Sequence, residues 1–425
     1  MKDRWLGLDI GGTKCAVLLA RLNQGIEILD KIRFDTHAER GFQPTYDRLC
    51  AEMENILARN GLDFSRVRAI GISCGGPLDS RRGLIVCPPN LPGWVNIPLP
   101  RMLFEKYGVQ TFIQNDANAC ALVEWKLGAG RGTRDMIFLT MGTGMGAGVI
   151  AEGQLLRGHN DMGGEVGHLR LTEDGPVGFY KAGSFEGYTS GGGIGRQAAE
   201  LTEKLIAEGK TPKWIQDGHS LDDISAKLMA EYAQAKAFYE GVGRMLGRGI
   251  ALLVDAFNPE CVVIGSIFVR CEDLLRESME AELKKEAIPY SLQDLRVVPA
   301  GTGEALGDYA SIMVALHELN IDPMRESDSC NRAAQRRFEE LFERYPALEC
   351  CREQVMTAYR MLEECYSSGG KVMLVGNGGS CADCGHIVGE LMKGFWLKRP
   401  LDEKRRAALR AATEDLLPGA AEMFQ

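Results

Sequence analysis

The sequence predicts an α/β protein built from two similar lobes, followed by a further, incomplete α/β segment. The first observation is a repeated design. Arg4 to Ala20 is an apolar strand broken by Gly11-Gly12 and resumed as CAVLLA, and Met136 to Leu156 does the same with MIFLT, the turn MGTGMGAG and VIAEGQLL. Two copies of strand, glycine turn and strand suggest two lobes that face each other. The second is length, because 425 residues are too many for one hydrophobic core, so two or three domains are expected. The third is a polar stretch after Leu319, NIDPMRESDSCN, which reads as a linker. The domain boundaries expected are therefore residues 1–320, a linker over 321–332, and a partial unit over 333–425.

Element by element, the opening strand pair is followed by IEILDKIRF, a third strand. Tyr46, Leu49, Met53, Ile56 and Leu57 recur at helical spacing, and Asn60-Gly61 ends that helix. Val67 to Ser73 is a buried strand, and Val109 to Gln114 is another that feeds a helix beginning near Asp116. Phe238, Val242, Met245, Leu246, Leu253 and Val254 form the apolar stripe of a long helix, which stops at Asn258-Pro259 before the strand CVVIGS. Beyond the linker a long helical stretch is expected from Asn331 to Tyr366, then the strand KVMLVG, the loop NGGS and another helix.

Composition sets the class. With 45% hydrophobic and 25% charged residues, the chain reads as soluble and globular. Its net charge of −9 argues against nucleic acid as the main partner, since phosphate backbones reward clustered Lys and Arg. No run of eighteen apolar residues occurs, so no membrane partner is expected. Thirteen cysteines without a framework spacing read as reduced thiols, and with the polar opening MKDRWLGLDIGG they indicate the cytoplasm.

Chemistry concentrates at the glycine turns. In Asp9-Ile-Gly-Gly-Thr-Lys14, Gly11 and Gly12 let backbone N–H groups approach a phosphate closely. Thr13 offers a hydroxyl, and Asp9 can hold a water of a Mg²⁺ shell. A plain hairpin turn is the alternative. Thr140-Met-Gly-Thr-Gly-Met-Gly-Ala-Gly148 starts a strand rather than a helix, so it fails the context of a dinucleotide-binding motif. A second phosphate cradle, containing Thr140, Gly142, Thr143 and Gly144, explains it better. Phosphoryl transfer is mostly positioning and charge neutralisation, which two cradles would supply. Asn115-Asp116 lies where a strand meets a helix; Asp116 can act as a general base toward a hydroxyl or as a helix N-cap, and the two roles are compatible. Glu165 and His168 in GGEVGH, Asn90 in PPNLPGW and Glu186 in GSFEGYTSGGG are polar groups in turn-rich settings suited to binding sugar hydroxyls, or simply exposed. Trp94 could pack on a sugar ring, with a core position as the alternative.

Together DIGGTK, the GGP of Gly75 to Pro77, PNLPGW, NDANACALVE, GTGMGAG, GGEVGH, FEGYTSGGG and the GDYA around Gly307 resemble the ROK family (repressors, open reading frames and sugar kinases) from about Trp5 to Leu319. The resemblance implies an actin-like, ribonuclease-H-like two-lobed ATPase fold with hinges near 115–130 and 300–310. It implies that Asp9, Gly11, Gly12, Thr13, Lys14, Thr140, Gly142, Thr143 and Gly144 face the phosphates of ATP, with Gly265 near the adenosine. Asn90, Asn115, Asp116, Glu165, His168 and Glu186 would bind the sugar, with Asp116 as base. The implied reaction moves phosphate from Mg-ATP to a hexose, at the 6-hydroxyl, in a homodimer. Kinases of the family usually carry a zinc held by one His and three Cys. Here those Cys positions are Val177, Phe179 and Ser184, so no structural zinc is expected. A repressor of the family would carry a DNA-binding segment before DIGGTK, which here opens at Asp9.

The tail KVMLVGNGGSCADCGHIVGELM is similar to the start of sugar-isomerase domains of the phosphoheptose isomerase type. That similarity implies a sugar-phosphate loop at Asn377 to Ser380, with His386 and Glu390 on one helix face. A bifunctional kinase–isomerase and a non-catalytic sugar-binding regulator are the alternatives to a kinase alone.

Overall fold

A computed structural model describes residues 2–324 and most of residues 338–362. The chain divides into two compact units, Met1–Gln335 and Arg336–Gln425. The first contains both lobes. Lobe I is built on β1 (Arg4–Ile10), β2 (Lys14–Leu22), β3 (Ile26–Asp35), β4 (Val67–Cys74) and β5 (Gln110–Asn115), with α1 (Phe42–Arg59) on its outer side. Lobe II is built on β6 (Met136–Met141), β7 (Met145–Ala151), β8 (Gln154–Leu155), β9 (Cys261–Ser266) and β10 (Arg296–Pro299).

The two sheets share one design. Lobe I runs β3-β2-β1-β4-β5 and lobe II runs β8-β7-β6-β9-β10. In each, the first two pairings are antiparallel and the last two parallel. The strand–glycine turn–strand repeat is thus the visible part of a whole-lobe repeat. Strands such as β4, whose residues are buried except Arg68, are covered on both faces, which is why they read as continuous apolar runs.

Two helices fill the space between the sheets, α2 (Asp116–Lys126) and α7 (Leu306–Glu318). Their Ala119, Leu122, Val123, Ile312 and Val314 form one core with Trp5 and Ala69 of lobe I and Phe138 and Val263 of lobe II. The approach is close. A Cβ on Gly7 would lie 2.2 Å from Ser311 Oγ, and one on Gly148 would lie 2.5 Å from Ala121 Cβ. Glycine is required at both positions, and the contacts fix where each helix begins. Both N-termini, at Asp116 and near Asp308, then point toward the strand ends that carry the glycine turns.

The remaining helices used below are α3 (Phe185–Thr189), α4 (Gly191–Ala207), α5 (Lys236–Phe257) and α6 (Ile267–Glu286), all in lobe II. In the second unit, residues 338–344 are helical. The long helix expected across 331–366 is interrupted, because a 3₁₀ segment occupies Pro346–Cys351 and Tyr345 before it is non-helical, with φ −130° and ψ 75°. Proline disfavours the helical conformation in the residue that precedes it, which accounts for the break.

Candidate active site

The strand-to-helix junction sets out the first carboxylate. Asn115 Oδ1 accepts from the N–H of Ala117 at 2.9 Å and of Asn118 at 3.4 Å, so Asn115 is the N-cap of α2. The reading of Asp116 as the cap is corrected by this geometry. Asp116 occupies the first helical position, where Oδ1 accepts from the Ala117 N–H at 2.8 Å. One side of Asp116 is open to water, while protein crowds the others. That crowding raises its pKa, and the N–H groups of Ala117 and of Asp116 itself oppose the rise. The open side is the one a substrate can reach.

Asp9, at the end of β1, is the second carboxylate. Burial, then the charges of Asp116 and Asp308, push its pKa up to about 6, against the pull of Lys31 and Arg33. Three acids from three elements therefore share one field, and Lys31 partly neutralises it through an ion pair with Asp308. Asp308 was not singled out as a site residue from sequence. Its signal was the GDYA motif at a helix start, which marks a carboxylate beside a helix N-terminus.

The first glycine turn is tied to its own sheet. Gly11 N–H donates to the Lys14 carbonyl at 3.0 Å, and Thr36 Oγ1 donates to the Gly11 carbonyl at 2.7 Å. A Cβ on Gly12 would lie 2.6 Å from the Asn90 carbonyl oxygen, so this turn rests against the PNLPGW loop, and Asn90 meets the turn through its backbone. Thr13 and Lys14 are exposed beside it.

The second glycine turn is tied to helices. Gly191 N–H donates to the Gly142 carbonyl at 2.7 Å and Gly192 N–H to the Thr143 carbonyl at 3.2 Å. Thr140 and Ser266 hydroxyls lie 3.4 Å apart at neighbouring strand ends. Gly265 is buried, and a Cβ there would meet the Phe138 ring at 3.1 Å. Glu186 Oε2 accepts from the Met145 N–H at 3.0 Å, and a Cβ on Gly144 would strike that oxygen at 2.8 Å. Glu186 thus braces the turn with one carboxylate oxygen.

Glu165 and His168 stand on the same side. A Cβ on Gly167 would lie 2.4 Å from the Met145 carbonyl, which presses the GGEVGH turn against β7. Burial first, then Asp116 and Glu186, raise the Glu165 pKa, and His168 lowers it. Glu165 is therefore near enough to His168, Asp116 and Glu186 to feel their charge. Trp94 is fully buried and meets the Phe42 ring edge-on at 4.9 Å; it belongs to the core, and the sugar-stacking option for it is withdrawn.

The residues of the loop between His168 and Glu186 do not fit a zinc ion. Ser184 Oγ accepts from Gly178 N–H and Gly187 N–H, both at 3.1 Å. Val177 and Phe179 are apolar and half exposed, with the Phe179 ring 5.0 Å from the His168 ring, edge-on. Lys181 Nζ donates to the His168 carbonyl at 2.6 Å. A short hairpin, Val177–Gly178 with Lys181–Ala182, and these contacts hold the loop. No group of three or more His, Cys, Asp or Glu poised for a metal occurs among the described residues.

Sequence reasoning also missed Glu124, which is fully buried. Its carboxylate accepts from the N–H of Ala129, Gly301 and Thr302 at 2.8, 2.9 and 3.0 Å, and from Thr302 Oγ1 at 2.5 Å. It ties the end of α2 to the loop that leads into α7. Nothing local announces this, because Glu in a helix is ordinarily a surface residue.

Two sheets of identical order, each with a glycine turn at its first hairpin and two helices between them, define an actin-like ATPase fold. The sequence profile of the ROK family matches residues 5–315, and the chain belongs to that family. It is 32% identical over 293 residues to the glucokinase of Halalkalibacterium halodurans, covering 68% of this chain and 88% of that one. It is 27% identical over 255 residues to the DNA-binding transcriptional repressor Mlc of Escherichia coli, covering 60% and 62%. The crystal structure of a ROK family glucokinase from Streptomyces griseus, in complex with glucose and AMPPNP, superposes with a TM-score of 0.58 at 30% identity, covering 73% of this chain and 98% of that one. No helix among the described residues is long and apolar enough to cross a membrane. Asn377, Ser380, His386 and Glu390, the candidate sugar-phosphate residues of the tail, lie outside the described residues.

Proposed function

We propose that the chain phosphorylates a hexose, at its 6-hydroxyl, with Asp116 as general base. The observation that carries this reading is Asp116 at the first helical position while Asn115 performs the capping. The Asp116 carboxylate therefore commits only Oδ1, to the Ala117 N–H, is open to water on one side, and lies in one electrostatic field with Asp9 of the first glycine turn and Glu165 of the polar turn. A sugar hydroxyl held by Asn90, Asn115, Glu165, His168 and Glu186 would give its proton to Asp116 as its oxygen attacks phosphorus.

Gly11, Gly12, Thr13 and Lys14 on one side and Thr140, Gly142, Thr143 and Gly144 on the other would hold the phosphates of ATP, with Gly265 beside the adenosine. Mg²⁺ bound with ATP would neutralise charge developing on the transferred group. Asp9 is the residue placed to hold a water of its shell. The 32% identity to a glucokinase supports the reading. A chain lacking this base would bind sugar without turnover, as a regulator would. The test is coupled ADP release across a panel of hexoses with the wild-type chain and Asp116→Asn. Turnover of at least one hexose by the wild type alone supports the proposal, and no turnover of any sugar refutes it.

A further inference from the structure

Lobe II holds a cavity of about 1060 Å³ that none of the proposed catalytic or phosphate-binding residues lines. Gly191 and Gly192, at the start of α4, meet the second glycine turn, whereas Gln197, Leu201 and Leu205, four apart along that helix, face the cavity. Leu201, Leu205, Trp214 and Phe238 give it an apolar floor. The Trp214 indole is satisfied by Thr202 Oγ1 at 3.0 Å, so the aromatic surface it offers is dry.

The wall is basic. Lys210, Arg244, Arg248 and Lys285 line it with Glu282 as the sole acid, a local excess of positive charge in a chain of net charge −9. Glu282 is engaged by Arg248 at 2.7 Å, Lys285 pairs with Glu286 at 2.9 Å and Lys210 with Glu208 at 2.8 Å, which leaves the unmatched charge on Arg244. Arg244 is exposed and makes no ion pair among the described residues. Arg248 Nε is buried without a hydrogen-bond partner. That nitrogen is closed off from the cavity, so the group a ligand can meet is the exposed, unpaired Arg244 guanidinium, which favours a charged acceptor.

A connection leads from this cavity to the candidate active site. Gln197 Nε2 donates to the carbonyls of Gly187 at 3.0 Å, Tyr188 at 3.0 Å and Gly193 at 3.2 Å. Gly187 and Tyr188 directly follow Glu186, whose carboxylate braces the second glycine turn. A ligand packed on Gln197 would hold α3, and with it Glu186, in this arrangement.

The geometry points to a second ligand site here, for a small molecule that joins one anionic group to an apolar body and whose occupancy is felt at Glu186. The site itself is independent of the kinase reading; only its effect on sugar binding rests on that reading. The probe is 8-anilinonaphthalene-1-sulfonate, compared with N-phenyl-1-naphthylamine, which has the same body without the anion. Both are titrated into the full chain with saturating Mg-ATP present. The expected result is one sulfonate probe per chain, with the neutral analogue and the Arg244→Ala variant each weaker by about tenfold, and Arg244→Lys restoring part of the loss. Binding abolished by Mg-ATP, unchanged in Arg244→Ala, or lost as the chain self-associates at higher concentration would overturn the site. With the best hexose, the bound probe should lower the sugar KM by about fivefold, an effect that Gln197→Leu abolishes. An unchanged KM with normal probe binding overturns the coupling alone. If no sugar turns over, the kinase reading fails while the binding isotherm still decides the site.

Discussion

The two lobes repeat one sheet order, yet they secure their glycine turns in different ways. In lobe I the turn is held by Thr36, just after β3, on the Gly11 carbonyl and by Asn90 of the PNLPGW loop against Gly12. In lobe II it is held by the start of α4 and by the carboxylate of Glu186. A repeated scaffold supplies two glycine turns, and the segments inserted after the repeat secure them differently. The lobe I turn is braced by neutral groups, a threonine hydroxyl and the PNLPGW loop. The lobe II turn shares Glu186 with the Glu165 and His168 cluster, so on the proposed function nucleotide and sugar would be mechanically linked there. On the proposed function, the comparison yields graded tests.

The largest effect is expected where the lobes meet. Asp116→Asn should fold normally, by circular dichroism and melting, yet lose about 10³ in kcat, some 4 kcal/mol of barrier. A variant within tenfold of wild type would mean that this residue only begins a helix. Next is Glu124→Gln, which joins α2 to the approach of α7. An amide offers one acceptor oxygen and turns donors toward three backbone N–H groups, so a loss of about 2–3 kcal/mol is expected. Calorimetric melting that leaves Tm unmoved would show that the two inter-sheet helices are held by packing alone.

Smaller effects separate the turns. Glu186→Ala should raise KM for both ATP and sugar by about tenfold, because it frees the lobe II turn and removes a sugar ligand. Thr36→Val should raise KM for ATP alone, by about fivefold, since it loosens only the lobe I turn. Equal effects of both variants on the sugar would erase the contrast drawn above. The smallest effect is electrostatic. Asp9 should titrate at about 6 in metal-free protein, above the ordinary Asp range because burial and two neighbouring acids disfavour its charge. Lys31→Met removes a cation that stabilises the charged form, so the titration should move to higher pH. A downward shift, followed by carbon-detected NMR of the carboxyl, would contradict the assignment of Asp9 and Asp308 to one field.

Much of this arrangement was legible beforehand for a physical reason. Strands buried on both faces must be apolar throughout, and a backbone that approaches a ligand or a helix must shed its Cβ, so β1, β4 and β6 and the turns at Gly11 and Gly142 are written as local patterns. The repeat was visible because each lobe begins with the same hairpin. The separation of duties between Asn115 and Asp116 was not, since both side chains can cap a helix and only the observed hydrogen bonds and backbone angles choose between them. Likewise no local signal marks Glu124, whose four donors come from residues up to 178 positions away.

The sequence by itself determined the two-lobed α/β class, the ROK family, the glycine turns and the polar residues gathered near them, because these depend on neighbours in the chain. Only the tertiary structure decided that Asp308 joins the field of Asp9 and that Glu186 braces the second turn. It alone showed that Ser184, Lys181 and the Phe179 ring hold the loop before Glu186, and it alone opened a basic cavity on the far flank of α4. Each of those outcomes depends on which segments the two inter-sheet helices bring together. Long-range juxtaposition carries hydrogen bonds and Coulomb terms that no local spacing encodes.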